Sequence, residues 1–362
     1  MASPGRTPEP VKLSGSEGSA GETSLRAALS LAAITQQPFV MTWSDAAAVS
    51  SISAATVEAA RAILGGAAEG ATVGSREIQF EPGPLKSGTF RAEAGACPLA
   101  PLVEMATVPL SLAGGVSQIR FSGITHAPGQ PTFHDAALGW MPLVERVGIA
   151  AELTLTASGF EPDGDGVIDV RVFPAPRLRG LDIASRGLLV ETQALALVAN
   201  LGIGIALPLE RSLSTRLRGC GIAAQVEVLP MPAERARGLA AVIVAQFERV
   251  RAAIVTTGQT GHPAEEVAEL AVKELQQLLR CRGALPASTA EALLVPLALA
   301  ASPHGAPGVI GKDPPSASHL TVSEVTAGML TVSDVIRRML PVEIQIQGLP
   351  GDEGAIDLRP RA

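Results

Sequence analysis

The stretch Gly15 to Gly21, GSEGSAG, runs straight into an apolar helix pattern over 24–35. Small residues before a helix can do chemistry, because the N–H groups at a helix N-terminus hold an anion. The same stretch can instead be a turn, with Ser19 or Thr23 capping the helix. The residues alone leave both readings open, and the structural one is the simpler. His126 and His134 stand eight positions apart, in the segment THAPGQPTFHDAAL (125–138). A structural pair, each ring making one backbone hydrogen bond, explains them as well as a catalytic role. His262 opens a helix and His304 lies in a loop, and neither has a motif behind it. Cys97, Cys220 and Cys281 lack metal-ligand spacing, and their count is odd. They read as buried thiols of a reduced, cytoplasmic protein. Asp163 and Asp165 begin like a calcium loop, but the further acids and the terminal Glu do not follow, so no metal site is expected.

These residues sit in a chain of 362, long enough for two domains or for one large domain with an insertion. It is 47% hydrophobic and only 3% aromatic, without tyrosine, so Ala, Val, Leu and Ile must build the core. The net charge of −7 argues against a tight, nonspecific nucleic-acid binder. A local basic groove could come from the arginines in 177–187 and 211–219, whose simpler reading is solvated loop charge. The opening MASPGRTPEP reads as a frayed tail without a signal peptide. The longest apolar run, 194–209, is too short and too broken by Gly and Pro to span a bilayer.

Along the chain, Leu25, Leu29, Leu31 and Ile34 predict a helix with one apolar face. Strands are expected at 38–43, 76–83, 88–95, 117–123 and 150–156, and helices at 52–64, 98–113 and 135–147. The helix at 98–113 is apolar almost all round and should be central. A separate module is expected from about 181 to 282, with strands at 187–198, 221–229 and 238–248. It ends in an amphipathic helix over 262–279, with Pro263 in the first turn and acids at its N-terminal end. A helix at 288–301, a Pro/Gly/Ser loop at 303–318, a helix at 331–340 capped by Thr331 or Ser333, and a strand at 342–348 close the chain. The alternation of helices and paired strands makes this an α+β protein.

Several segments together resemble the RNA 3′-terminal phosphate cyclase family. They are LRAALSLAAITQQPF, THAPGQPTFHDAAL, GFEPDGDGV, GHPAEEVAELAVKELQQLL, VPLALA and VIRRMLPVEI, in the family's order. With residues 1–14 read as a disordered tail, the resemblance implies a large domain at 15–180 and 283–362. That domain would hold three units of two helices on a four-stranded sheet, with a smaller α/β domain inserted at 181–282. It implies ATP and Mg2+ as cofactors and an RNA 3′ end as partner, with no membrane. The expected reaction turns a 3′-phosphate into a 2′,3′-cyclic phosphate through a histidine–AMP intermediate. Residue by residue, it gives Arg26 to the substrate phosphate. Pro131 and the run Ser288, Thr289, Ala290, Glu291 and Ala292 fall to the nucleotide. His319, in SHLT, is the candidate nucleophile, although the gapless position is Gly328. The family's cationic segment after the first strand is replaced by SDAAAVSSIS (44–53), which has no cation. The resemblance therefore also allows a catalytically silent member that serves as a binding or assembly scaffold. A less favoured relation is to the enolpyruvyl transferase fold, whose sites are rich in Lys and Arg.

Overall fold

The structure is a computed structural model that describes residues 9–44, 47–162, 164–259, 261–302 and 315–361. Its first unit runs β1 (Val11–Gly15), α1 (Gly18–Thr35), β2 (Phe39–Trp43), α2 (Ser51–Leu64), β3 (Ala67–Glu69) and β4 (Glu77–Glu81). The second runs β5 (Thr89–Pro98), α3 (Leu99–Ser111) and β6 (Ser117–Ile124). A π-wound turn (Asp135–Trp140) then leads into α4 (Met141–Val147), β7 (Ala151–Ala157) and β8 (Gly166–Val172). β9 (Asp182–Ile183) precedes a long excursion through β10 (Leu189–Ala199), α5 (Ile203–Gly219), β11 (Gln225–Pro230), β12 (Gly238–Phe247), β13 (Arg251–Thr257) and α6 (Ala264–Arg280). The chain then returns as α7 (Ala287–Ala301), β14 (Ser318–Val322), α8 (Ala327–Met339), β15 (Val342–Gln347) and β16 (Gly354–Pro360).

The strands form four four-stranded sheets, an α+β architecture. Three have the orders β1-β2-β4-β3, β5-β6-β8-β7 and β9-β14-β16-β15. Each has one parallel pair followed by two antiparallel ones. The fourth, β11-β10-β12-β13, belongs wholly to the excursion and leaves β13 as an edge strand. Arg186 closes the neck of that excursion. Its guanidinium donates to the carbonyls of Leu279, Cys281 and Gly283 and lies 5.3 Å from the centre of the Phe247 ring. Its role is to tie the departing chain to the returning one, unlike the solvated loop charge expected of the 177–187 run.

Four expectations do not hold in the structure. Val11–Gly15 is a strand paired with Phe39–Trp43, so the tail expected over 1–14 does not reach past residue 10. The boundary expected at 181 falls too early, because Asp182 and Ile183 pair with His319 and Leu320 in the last of the three like sheets. The Gly-rich stretch before residue 24 is already helix: α1 starts at Gly18, and neither Ser19 nor Thr23 caps it. Gly21 is there for packing, because a Cβ at that position would overlap the Ser16 carbonyl oxygen. Finally, α1 is buried around nearly its whole girth from Ser24 to Ile34, rather than on one face. It packs against α2, α3 and α8 at the centre of the molecule, where its many alanines let helices approach closely. Arg26 is the exception within that stretch, and it marks where the central helices part.

Candidate functional site

A cavity of about 90 Å³ opens where α1, α3, the π-wound turn, α7 and α8 converge. Arg26, Pro131, Ser288, Thr289, Glu291 and Ala292 all line it. Six residues chosen from three distant stretches of sequence thus meet in one place. Ala290 does not join them: it is fully buried on the inner side of α7, because that helix turns its neighbours toward the cavity instead.

Local structure holds each side chain. Arg26 donates from Nη2 to Thr23 Oγ1 (2.8 Å), and Thr23 donates to the Ser19 carbonyl (2.9 Å), so one turn of α1 steadies the guanidinium. Asp135 accepts from both the N–H and the hydroxyl of Thr132 at 2.7 Å, which fixes the start of the π-wound turn. Thr326 caps α8, its Oγ1 accepting from Met329 N at 3.0 Å while donating to Glu291. The caps expected for this helix, Thr331 and Ser333, lie inside it and donate back to the carbonyls of Gly328 and Met329. Because Thr326 serves both the helix end and Glu291, Thr326→Ala should cost about 1–2 kcal/mol of stability. Urea unfolding of the two proteins measures that loss.

Charge in the cavity is mainly acidic. Glu104, on α3, is pushed from 4.5 up to about 8, first by burial, with Asp135 and Glu291 adding to the rise and Arg26 opposing it. Burial also raises Asp135, to about 6, against the two Thr132 hydrogen bonds. Sequence reading passed over Glu104. The signal was present, since Glu104 is the only charged residue in the 98–113 run. Trp140, missed for the same lack of spacing, closes the cavity from the π-wound turn.

His319 is not in this cavity. It lies on β14, where Ser318, Leu320 and Val322 point into the core, so strand alternation turns the imidazole to the outer face. There it pairs with Asp357 across the sheet (Nδ1 to Oδ1, 3.0 Å) and stays partly exposed. The position facing the cavity wall is Gly328, in the first turn of α8. A Cβ built there would overlap the Glu291 carboxylate, so glycine and carboxylate share one space.

His126, His134 and His262 each bond another side chain. His126 Nε2 and His134 Nδ1 stand 2.9 Å apart, and His126 also bonds Thr125 and stacks on Phe160. The rings therefore bond side chains, not the backbone carbonyls expected. Burial lowers both, His134 to about 4, so neither carries charge at neutral pH. His262 bonds Glu266 one turn along α6 (2.9 Å). His304 and Asp163 lie outside the described residues.

A larger groove of about 740 Å³ adjoins the cavity and shares Pro131, Asp135 and Ser288 with it. Its volume suits a nucleotide-sized ligand, but its lining does not suit a triphosphate. Asp135, Glu266, Glu274 and Glu324 line it, and no Lys or Arg does. Arg26 lines the adjoining cavity. Among the described residues, no cluster of three or more His, Cys, Asp or Glu could hold a metal ion. A nucleotide-bound Mg2+ needs only one or two protein carboxylates beside the phosphates, which Glu104, Asp135 or Glu291 around Arg26 would supply. None of the described helices is long and apolar enough to cross a membrane.

Comparison with known proteins agrees with the architecture. The family model for RNA 3′-terminal phosphate cyclase matches residues 17–346. A protein of that name from Salmonella paratyphi C is 32% identical over 346 residues, covering 94% of this chain and 95% of its own. One from Ralstonia nicotianae is 31% identical, with 93% of each chain covered. A match of this extent settles kinship, and the chain belongs to the RNA 3′-terminal phosphate cyclase family.

Proposed function

We propose that the chain works at RNA 3′ ends as a binding member of its family and does not form a histidine–AMP intermediate. One observation carries this reading: glycine, at position 328, faces Glu291 where the nucleophile is expected, while His319 pairs with Asp357 on an outer sheet face. Covalent transfer needs an imidazole within reach of the reacting phosphorus. Arg26 is the group to meet a terminal phosphate, and the residues of α7 form the wall beside it.

The test is incubation with α-labelled ATP and magnesium, then with an oligoribonucleotide ending in a 3′-phosphate. No acid-labile label should stay on the protein, and no cyclic end should accumulate. The oligonucleotide should still bind, more tightly than its 3′-hydroxyl twin, and Arg26→Gln should weaken it about tenfold. A second reading, ATP-dependent formation of the 2′,3′-cyclic phosphate, is favoured by the convergence of six expected side chains and by the relatives' shared name. Label on the protein, or cyclic ends that require ATP, would establish that reading and end the first.

A further inference from the structure

Three stretches distant in sequence meet at the last turn of α4. The Arg179 N–H donates to the Val147 carbonyl (2.8 Å), and Arg146 donates from Nη1 to the Arg249 carbonyl (2.9 Å). These contacts gather Arg146, Arg179, Arg249 and Arg251 at one surface, and all four are exposed. The carboxylates on the same stretches are Glu145, which is exposed, and Glu248, which accepts from the Leu188 N–H at 3.1 Å. Among the described residues, none of the four arginines forms an ion pair with a carboxylate. Arg251 donates instead to the neutral amide oxygen of Gln246 (3.0 Å). Like charges repel, so gathered cations without counter-charges, in a chain of net charge −7, are best answered by an anionic ligand.

A second observation concerns apolar surface beside this charge. Leu188 is 74% exposed and Val190 is 66% exposed, on either side of the first residue of β10. The N–H groups of Glu248 and Arg249 bond the carbonyls of Leu188 and Arg186, both at 3.1 Å, so this apolar surface adjoins the arginines. Guanidinium planes and open apolar side chains can meet unstacked bases, while the positive charge holds phosphates. The surface also has a fixed relation to the cavity. The π-wound turn and α4 run without a break from Asp135, which lines the cavity, to Arg146, roughly 15 Å along the helix axis. A short length of extended strand covers that span.

We propose that this arginine surface holds the body of a single-stranded RNA by its phosphates, while the strand's 3′ end lies in the Arg26 cavity. The proposal rests on the reading of the cavity as the seat of an RNA end, but the two can fail separately.

Equilibrium binding of the full chain to four oligoribonucleotides tests it: a trinucleotide and a dodecanucleotide, each ending in a 3′-phosphate or a 3′-hydroxyl. The longer strand should bind about tenfold more tightly than the shorter, whichever end it carries. Contact with three more phosphates should add about −2 to its slope of log affinity against log salt. Arg179→Gln, Arg249→Gln and Arg251→Gln should each take about 0.7 from that slope, while circular dichroism melts show the fold intact. Arg249→Lys should keep it. Arg26→Gln should remove the preference for phosphate and leave the length effect. A length effect with no preference for phosphate would end the reading of the cavity and support the surface. Equal affinity for both lengths would overturn the surface proposal, as would a length effect that all three glutamine variants leave intact. Sedimentation with phosphatidylserine vesicles, in place of any length effect, would assign the arginines to a membrane surface and overturn it too.

Discussion

Trp140→Ala should destabilise the protein by about 3–5 kcal/mol, the range for deleting a buried aromatic side chain. Trp140 is 1% exposed and heads the fully buried side chains by volume. Its indole N–H donates to the Ala292 carbonyl at 3.3 Å, so it joins the π-wound turn to α7. It also lines the small cavity, and its removal would enlarge a space that already holds Glu104 and Arg26. Two costs follow, a lost packing surface and a larger void beside charged groups. Trp140→Phe should recover most of the packing but not the hydrogen bond. Urea midpoints for the three proteins give the order wild type, phenylalanine, alanine. A loss below about 1 kcal/mol for alanine would mean that α7 is held elsewhere.

How far sequence reached depended on how each element meets its surroundings. α6 was legible because its apolar residues fall on one face, where Val267, Ala271, Leu275 and Leu278 are buried, although Leu270 is left exposed. α1, α3 and α7 are buried nearly all round, so periodicity could place them but not orient them. The start of α1 was misread because glycines that serve close packing look the same in sequence as glycines that serve a loop. β13 went unread, since RAAIVTT lacks strict alternation, although the glycines and proline of GQTGHP mark its end. At the candidate site, the cavity-lining Ser288, Thr289, Glu291, Ala292 and Arg26 were singled out through a family pattern, which also named the buried Ala290. Glu104 and Asp135 had no such pattern, because a single carboxylate in an apolar stretch has no spacing to report. His319 shows the converse. The string SHLT matched, but a strand has two faces, and which one meets the cavity is decided by Leu320 and Val322 entering the core.

Glu104→Gln should stabilise the protein, and by an amount that depends on pH. The carboxyl titrates near 4.5 when unfolded and near 8 when folded. Below about pH 4.5 both states hold the proton, so the substitution should change little. Between the two values the unfolded chain releases its proton while the folded one keeps it, so wild-type stability falls as pH rises. Above about pH 8 both states are ionised and the penalty is complete. The full shift corresponds to roughly 5 kcal/mol at 1.36 kcal/mol per unit. The side chain opens on a cavity that admits water, so about 1–3 kcal/mol is the expected gain at pH 9. The groups that set the local field are Arg26 on α1, Asp135 on the π-wound turn and Glu291 on α7. Asp135 is raised in the same direction, so the difference between variant and wild type is the quantity to follow, not either curve alone. Urea unfolding at pH 5, 7 and 9 should show the two proteins diverging steadily. A gap that is constant across that range would mean Glu104 is ionised throughout, with Arg26 close enough to hold its charge.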